Sequence, residues 1–226
     1  MYGAHAITDS AIFAMNSDYA DANDLYDPPL LRVKVIETLC ADGTAMSPTY
    51  LCHSRPVVEP IVSGTFTQPH YLVVDECDLT TKTALRWLKT IFLPHLKEQR
   101  EKKAFDHAVL ILEANRLYGP AFLKLCEKHD ITPVFFPAGE IACKPSEAYV
   151  LKTMDRLYSQ EIARREREFP DRDMTDVAFV TLFNSIFWQA YQPNDIINGF
   201  KATKIWPLDT NAAASSTGVE NQPPLQ

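Results

Sequence analysis

One short stretch in the middle of the chain constrains the fold more than any other. Residues His107–Leu112 form a continuous apolar run, and Glu113 follows directly. A short apolar run without polar alternation is typical of a central strand that is covered on both faces of a sheet. The run therefore predicts a sheet with helices packed on both sides, which is the α/β class.

Other apolar segments predict the remaining strands of this sheet. The Asp-Gly pair in Ala41–Thr44 predicts a hairpin turn between the second and third strands. In the second strand, alternation places Val33, Val35 and Glu37 on one face. Pro133 implies that the last strand lies at an edge or contains a bulge. The predicted strands are Ala11–Met15, Leu31–Cys40, Pro48–Cys52, Tyr71–Val74, the central run and Ile131–Phe136.

Segments with apolar residues at helical spacing flank the strands. The predicted helices are Thr81–Gln99, Pro120–His129, Ser146–Phe169, Thr175–Tyr191 and Pro193–Thr203. This order of elements predicts a mixed sheet flanked by helices, with a C-terminal helical extension, as in the RNase H-like fold. We expect one domain over residues 1–208 and a disordered tail over residues 209–226, which are rich in Ala, Ser, Gly and Pro.

Composition excludes several classes of protein. The five cysteines are an odd number without a CxxC pair, which indicates reduced thiols in an intracellular protein. No apolar run approaches the roughly 20 residues that cross a bilayer, so we expect no membrane association. The six histidines are scattered and show no zinc-ligand spacing. A net charge of −7 argues against strong non-specific DNA binding by this chain alone.

Three motifs follow one another along the chain in an informative order. Thr38–Pro48 contains an Ala-Asp-Gly turn followed by a proline, Leu110–Asn115 precedes the segment Pro120–Pro137, and Gly199–Leu208 begins with Gly-Phe and ends with Ile-Trp-Pro-Leu. Together they resemble the catalytic domain of pogo, Tigger and jerky-type DDE transposases, members of the DDE superfamily endonucleases. We expect the family's N-terminal helix-turn-helix domains to be absent from this chain.

The resemblance implies a metal site built from three carboxylates. DDE enzymes cut and join DNA with two divalent metals, Mg²⁺ or Mn²⁺, held by three acidic side chains. It implies that Asn16, Glu113 and Glu147 occupy the three catalytic positions, with Glu113 and Glu147 as metal ligands. Asp18, two residues beyond Asn16, is an alternative source of the first carboxylate.

All three positions depart from the aspartates of the family. Asn16 removes a charge, and Glu113 extends its carboxylate by one methylene. Lys144, where the family has glutamine, adds a cation three residues before Glu147. Metal affinity should therefore fall. We expect a transposase-derived, catalytically impaired domain without a cofactor, acting as a nucleic-acid or protein interaction module through weak DNA contact, a protein partner or a homodimer.

Two alternatives stand beside this interpretation. The first is an active metal-dependent DNA endonuclease or strand transferase that uses Mg²⁺ or Mn²⁺ with Glu113, Glu147 and either Asn16 or Asp18. Three convergent acids would favour this enzyme, whereas an asparagine and a lysine in the pocket favour a binding module. The second is a decayed copy of a mobile element. The resemblance also implies a nuclear location.

Overall fold

The described part of the chain is organised around one six-stranded mixed sheet, with strand order β4-β3-β2-β1-β5-β6. The computed structural model describes residues 3–8, 33–52, 69–74, 80–113, 118–136, 144–170 and 174–207. Strand β1 pairs antiparallel with β2 and parallel with β5. The strands are Gly3–Thr8 (β1), Lys34–Cys40 (β2), Thr49–Cys52 (β3), His70–Val73 (β4), Ala108–Glu113 (β5) and Ile131–Phe136 (β6).

Helices lie on both sides of this sheet. One group is α1 (Thr81–Trp87), a π-helical segment (Leu88–Phe92), α2 (Leu93–Lys103) and α3 (Pro120–Lys128). The other group is α4 (Pro145–Ala148), α5 (Val150–Glu168), α6 (Asp176–Ala190) and α7 (Pro193–Ala202). The sheet and its two groups of helices confirm the predicted α/β fold, which is consistent with an RNase H-like domain.

Strand β5 is covered on both faces, as its apolar run predicted. Leu110 and Leu112 are fully buried in the core cluster that contains Trp87 of α1. Ile111 belongs to the other cluster, which contains Phe183 of α6. Successive side chains of a strand point to opposite faces, so one strand joins the two halves of the core.

The predicted helix Thr81–Gln99 is interrupted by the π-helical segment Leu88–Phe92. Proline has no amide hydrogen, so Pro94 cannot complete the usual i→i−4 ladder. The amide of Leu93 instead reaches back to the carbonyl of Leu88. The π-helical turn therefore accommodates Pro94, and helical structure continues to Lys103.

The predicted helix Ser146–Phe169 is two helices in the structure. Tyr149, with φ −134° and ψ −52°, separates α4 from α5. The short helix α4 packs against α7, whereas α5 packs against α6. The helical periodicity of the sequence continues across Tyr149, so the sequence did not predict the break. The break accompanies the different packing partners of α4 and α5.

Several smaller predictions from the sequence concern Pro133, the cysteines and the C-terminal tail. Pro133 lies in β6, which is an edge strand of the sheet, as expected for proline. Cys40, Cys52 and Cys126 are buried, as predicted, and Cys77 and Cys143 lie outside the described residues. The tail beyond residue 208 also lies outside them. Within the described ranges, no helix is both long and apolar enough to span a bilayer.

The turn between β2 and β3 is held by a network centred on Asp42. One carboxylate oxygen accepts hydrogen bonds from the amide of Thr44, at 2.9 Å, and from its hydroxyl, at 2.7 Å. The other oxygen contacts the ammonium group of Lys103 at the end of α2. Burial by itself raises the pKa of Asp42, but the contacts with Lys103 and Thr44 outweigh burial and hold the pKa well below its usual range.

Acid should therefore weaken this turn. A carboxylate with a depressed folded-state pKa contributes stability that is complete above its unfolded pKa, near 3.9, and is lost gradually as pH falls from there through the folded-state pKa. We expect Asp42→Asn to lower the melting temperature at pH 7, and we expect its difference from the wild type to shrink progressively as pH falls from about 4 to 2. Melting curves from pH 2 to 7 measure this, with Asp106→Asn as the control. A deficit that is the same at every pH would contradict the interpretation.

Candidate functional site

The structure describes two of the four predicted site residues. Glu113 is the last residue of β5 and lies opposite Phe136 of β6. Glu147 lies in the first turn of α4. Glu113 therefore ends its predicted strand, and Glu147 lies near the start of its predicted helix. Asn16 and Asp18 lie outside the described residues.

The strand beside β5 lies earlier in the chain than expected. The sequence suggested Ala11–Met15, which lies outside the described residues, whereas the strand that pairs with β5 is Gly3–Thr8. Apolar patterning favoured the stretch with larger side chains, because Gly3–Thr8 contains small residues that give little signal. In the structure this strand ends at Thr8.

Three neighbouring strands bring three positions into one row. Ala6 of β1 lies beside Ile111 of β5, so two residues further on Thr8 reaches the position of Glu113. On its other side, Thr8 lies opposite Glu37 of β2. Adjacent strands are about 4.8 Å apart, so positions 37 and 113 are about two strand spacings apart. An acidic residue on β2 therefore belongs to the same end of the sheet as Glu113.

Glu37 is a buried acidic residue in the core, with 1% of its surface exposed. Two buried tyrosines, Tyr50 and Tyr191, lie within its electrostatic reach. Burial, Tyr71 and the charge of Glu37 together raise the pKa of Tyr50, and burial followed by the charge of Glu37 raises the pKa of Tyr191. The sequence had placed Glu37 on the face of Val33 and Val35, but it did not identify the tyrosines around it. The available signal was an acidic residue within an otherwise apolar strand.

Tyr191 links Glu37 to Glu147. The charge of Glu147 also raises the pKa of Tyr191, after the larger effects of burial, Glu37 and Tyr50. The tyrosine hydroxyl therefore lies within electrostatic reach of both carboxylates. Sequence reasoning grouped Glu147 with Asn16, Glu113 and Lys144. The structure adds Glu37 and Tyr191 to its surroundings.

The first turn of α4 holds Glu147 next to buried backbone. Pro145 begins the helix and is buried, Ser146 is fully buried, and Glu147 is half-buried. The amide of Glu147 donates to the carbonyl oxygen of Lys144, the N-cap residue, at 3.1 Å. A helix N-terminus favours negative charge, so Glu147 suits this place and the lysine does not.

The donor chemistry at these positions suits a divalent cation, although the described residues do not complete a site. Carboxylate oxygens are the ligands that Mg²⁺ and Mn²⁺ prefer, and both Glu113 and Glu147 carry them. Among the side chains that the structure describes, no group of three His, Cys, Asp or Glu residues could hold a metal ion. A complete centre would need Glu113 together with a ligand from outside the described residues.

Comparison with known proteins gives one family. The model of the family described as DDE superfamily endonuclease matches residues 54–200. No curated protein matches the chain. The matched range contains the whole of β5 and α4, the elements that carry Glu113 and Glu147.

The contact between Glu37 and Tyr191 can be measured with a double-mutant cycle. If the tyrosine hydroxyl stabilises the buried carboxylate, Glu37→Gln and Tyr191→Phe should be coupled by about 1 kcal/mol in the free energy of unfolding. Urea denaturation of the two single variants and the double variant gives this energy. Pairing Glu37→Gln with Tyr158→Phe, a buried tyrosine of α5, should give less than about 0.5 kcal/mol. Equal coupling in both pairs would mean that the contact has no specific role.

Proposed function

Since the chain belongs to the DDE superfamily endonuclease family, whose model covers more than half of its 226 residues, we propose that it is a nucleic-acid or protein interaction domain with a weakened metal centre. In this proposal the chain descends from a transposase of the pogo, Tigger and jerky type and acts in the nucleus. The observation that carries it is the first turn of α4, where a lysine precedes the acidic residue.

Electrostatics at this turn explain the weakening. Lys144 and Glu147 belong to one helical turn, joined by the hydrogen bond between their backbone groups. A positive charge on the same turn opposes the approach of a divalent cation. Glu113 keeps its charge but differs from the family's aspartate by one methylene, and metal ligands tolerate only about 0.2 Å of displacement. Binding should therefore be weak before any question of chemistry arises.

The surface supports interaction with a protein more than strong interaction with DNA. The net charge is −7, whereas a domain that binds duplex DNA strongly releases counterions from a basic face. At the edge of the sheet, Val134 and Phe135 of β6 are 43% and 40% exposed. An exposed apolar edge strand offers unpaired backbone groups to another chain. In this proposal, DNA contact is weak and the main partner is a protein or a second copy.

Removing the lysine should strengthen metal binding. We expect Lys144→Gln to tighten Mn²⁺ binding about fivefold, which corresponds to ~1 kcal/mol of electrostatic repulsion. Lys152→Gln, which removes an exposed lysine of α5, is the matched control and should leave the affinity unchanged. Calorimetric titration with Mn²⁺ measures both. Identical affinities for the wild type and both variants would show that Lys144 does not weaken the centre.

A second candidate function is an active metal-dependent DNA endonuclease. The observation that favours it is the position of β1, because the strand beside β5 ends at Thr8 and Asp9 is the next residue in the sequence. In this alternative Asp9, and not Asn16 or Asp18, supplies the first carboxylate. The centre would then keep three acidic residues, with Glu113 and Glu147 as the other two.

Plasmid nicking separates the two functions. For the weakened centre, we expect no nicking by the wild type with Mg²⁺, and restored metal binding when Asn16→Asp, Glu113→Asp and Lys144→Gln are combined. For the active enzyme, the wild type nicks DNA, and Asp9→Asn abolishes nicking while Asn16→Asp leaves it unchanged. Nicking that is lost in Asp18→Ala and kept in Asp9→Asn would instead place the first carboxylate at Asp18.

A further inference from the structure

Helix α7 approaches the backbone of α4 more closely than a side chain would allow. Gly199 of α7 is buried. A Cβ atom added to Gly199 would overlap the carbonyl oxygen of Pro145 and lie 3.0 Å from its carbonyl carbon. Glycine destabilises the interior of a helix, so its presence here needs a reason. The close approach to Pro145 supplies that reason, because only glycine leaves room for the carbonyl.

The other end of α7 makes a similar contact with the β2–β3 turn. A Cβ atom added to Gly43 would lie 2.8 Å from the carbonyl oxygen of Pro193 and 3.0 Å from Cδ1 of Ile197. Gly43 has φ +92°, a conformation that L side chains rarely adopt. Helix α7 is therefore held between the hairpin turn and α4. Its own residue Ile196 is fully buried.

This packing determines the position of Glu147. Pro145 begins α4, and Glu147 follows two residues later in the same turn. Backbone atoms cannot rotate away as a flexible side chain can, so a larger residue at position 199 must displace Pro145 and α4 with it. Such a displacement moves Glu147 relative to Glu37 of β2 and relative to Tyr191 at the end of α6.

We infer that Gly199 is a positioning residue for Glu147, setting through its contact with Pro145 the place of this carboxylate at the metal centre. As far as metal binding is concerned, the inference rests on the proposed function. Gly199 touches neither metal nor substrate and acts through α4. The two residues of the Gly-Phe pair therefore have different roles. Gly199 allows α7 to approach the carbonyl of Pro145, and the fully buried Phe200 packs in the core.

The test compares Gly199→Ala with Gly119→Ala in the full chain. A Cβ atom at Gly119, the N-cap of α3, would meet only the methyl group of Thr81, at 3.5 Å. Hydrogen exchange followed by mass spectrometry reports the protection of residues 145–150, and calorimetry reports Mn²⁺ affinity. We expect Gly199→Ala to accelerate exchange in this segment and to weaken Mn²⁺ binding about tenfold. Gly119→Ala should do neither.

The outcomes separate the inference from the proposed function. If folded Gly199→Ala exchanges residues 145–150 as the wild type does and keeps its Mn²⁺ affinity, the positioning role is overturned. If the wild type binds no Mn²⁺, the weakened metal centre is overturned, while hydrogen exchange still decides whether Gly199 positions α4. Accelerated exchange with unchanged Mn²⁺ affinity would overturn the link to Glu147.

A milder pair of variants serves if Gly199→Ala does not fold. Ile196→Val removes one methyl group from the buried face of α7. Ile131→Val removes one methyl group from the core on the opposite face of the sheet. Both residues are buried, so the loss of packing is matched. We expect Ile196→Val alone to accelerate exchange of residues 145–150. Equal acceleration in the two variants would overturn the inference.

Discussion

The coverage of β5 on both faces is the constraint on which the rest of the structure depends. Leu110 and Leu112 are buried in one half of the core and Ile111 in the other. Each such side chain contributes about 1.5–3 kcal/mol when it leaves water. No single helix layer can cover both faces, so α1–α3 and α5–α7 must pack on opposite sides. Glu113 stands where this doubly covered strand ends, which makes that end the place for polar chemistry.

Burial of an acidic side chain at Glu37, in the same region, is unfavourable by itself. An isolated charge in a protein interior costs several kcal/mol, and hydrogen-bonding groups nearby must offset that cost. Tyr50 and Tyr191 lie within electrostatic reach of Glu37, and a tyrosine hydroxyl is protonated at neutral pH and can donate. A chain that only needed a stable core would place an apolar residue here. The cost is understandable if negative charge at this end of the sheet serves the candidate site.

Three distant parts of the sequence meet around α7. The turn at Gly43 lies close to Pro193 at the start of α7, and the helix start at Pro145 lies close to Gly199 near its end, although these residues are far apart along the chain. Two of these contacts require glycine, one because of its positive φ and one because of the approach of a carbonyl. The glycines of the segments Thr38–Pro48 and Gly199–Leu208 therefore serve the packing of α7.

Local patterns were sufficient for much of this fold. The apolar run before Glu113, the Asp-Gly turn and the helical pattern from Thr81 each depend on a few neighbouring residues, so the sequence alone determined β5, the β2–β3 hairpin and the start of α1. The position of Glu147 at a helix start was predictable for the same reason. Tertiary structure alone decided that Gly3–Thr8 pairs with β5, that the helix breaks at Tyr149, and that Glu37 lies among tyrosines. These features depend on contacts between residues distant in sequence, and periodicity within one segment carries no information about its partners.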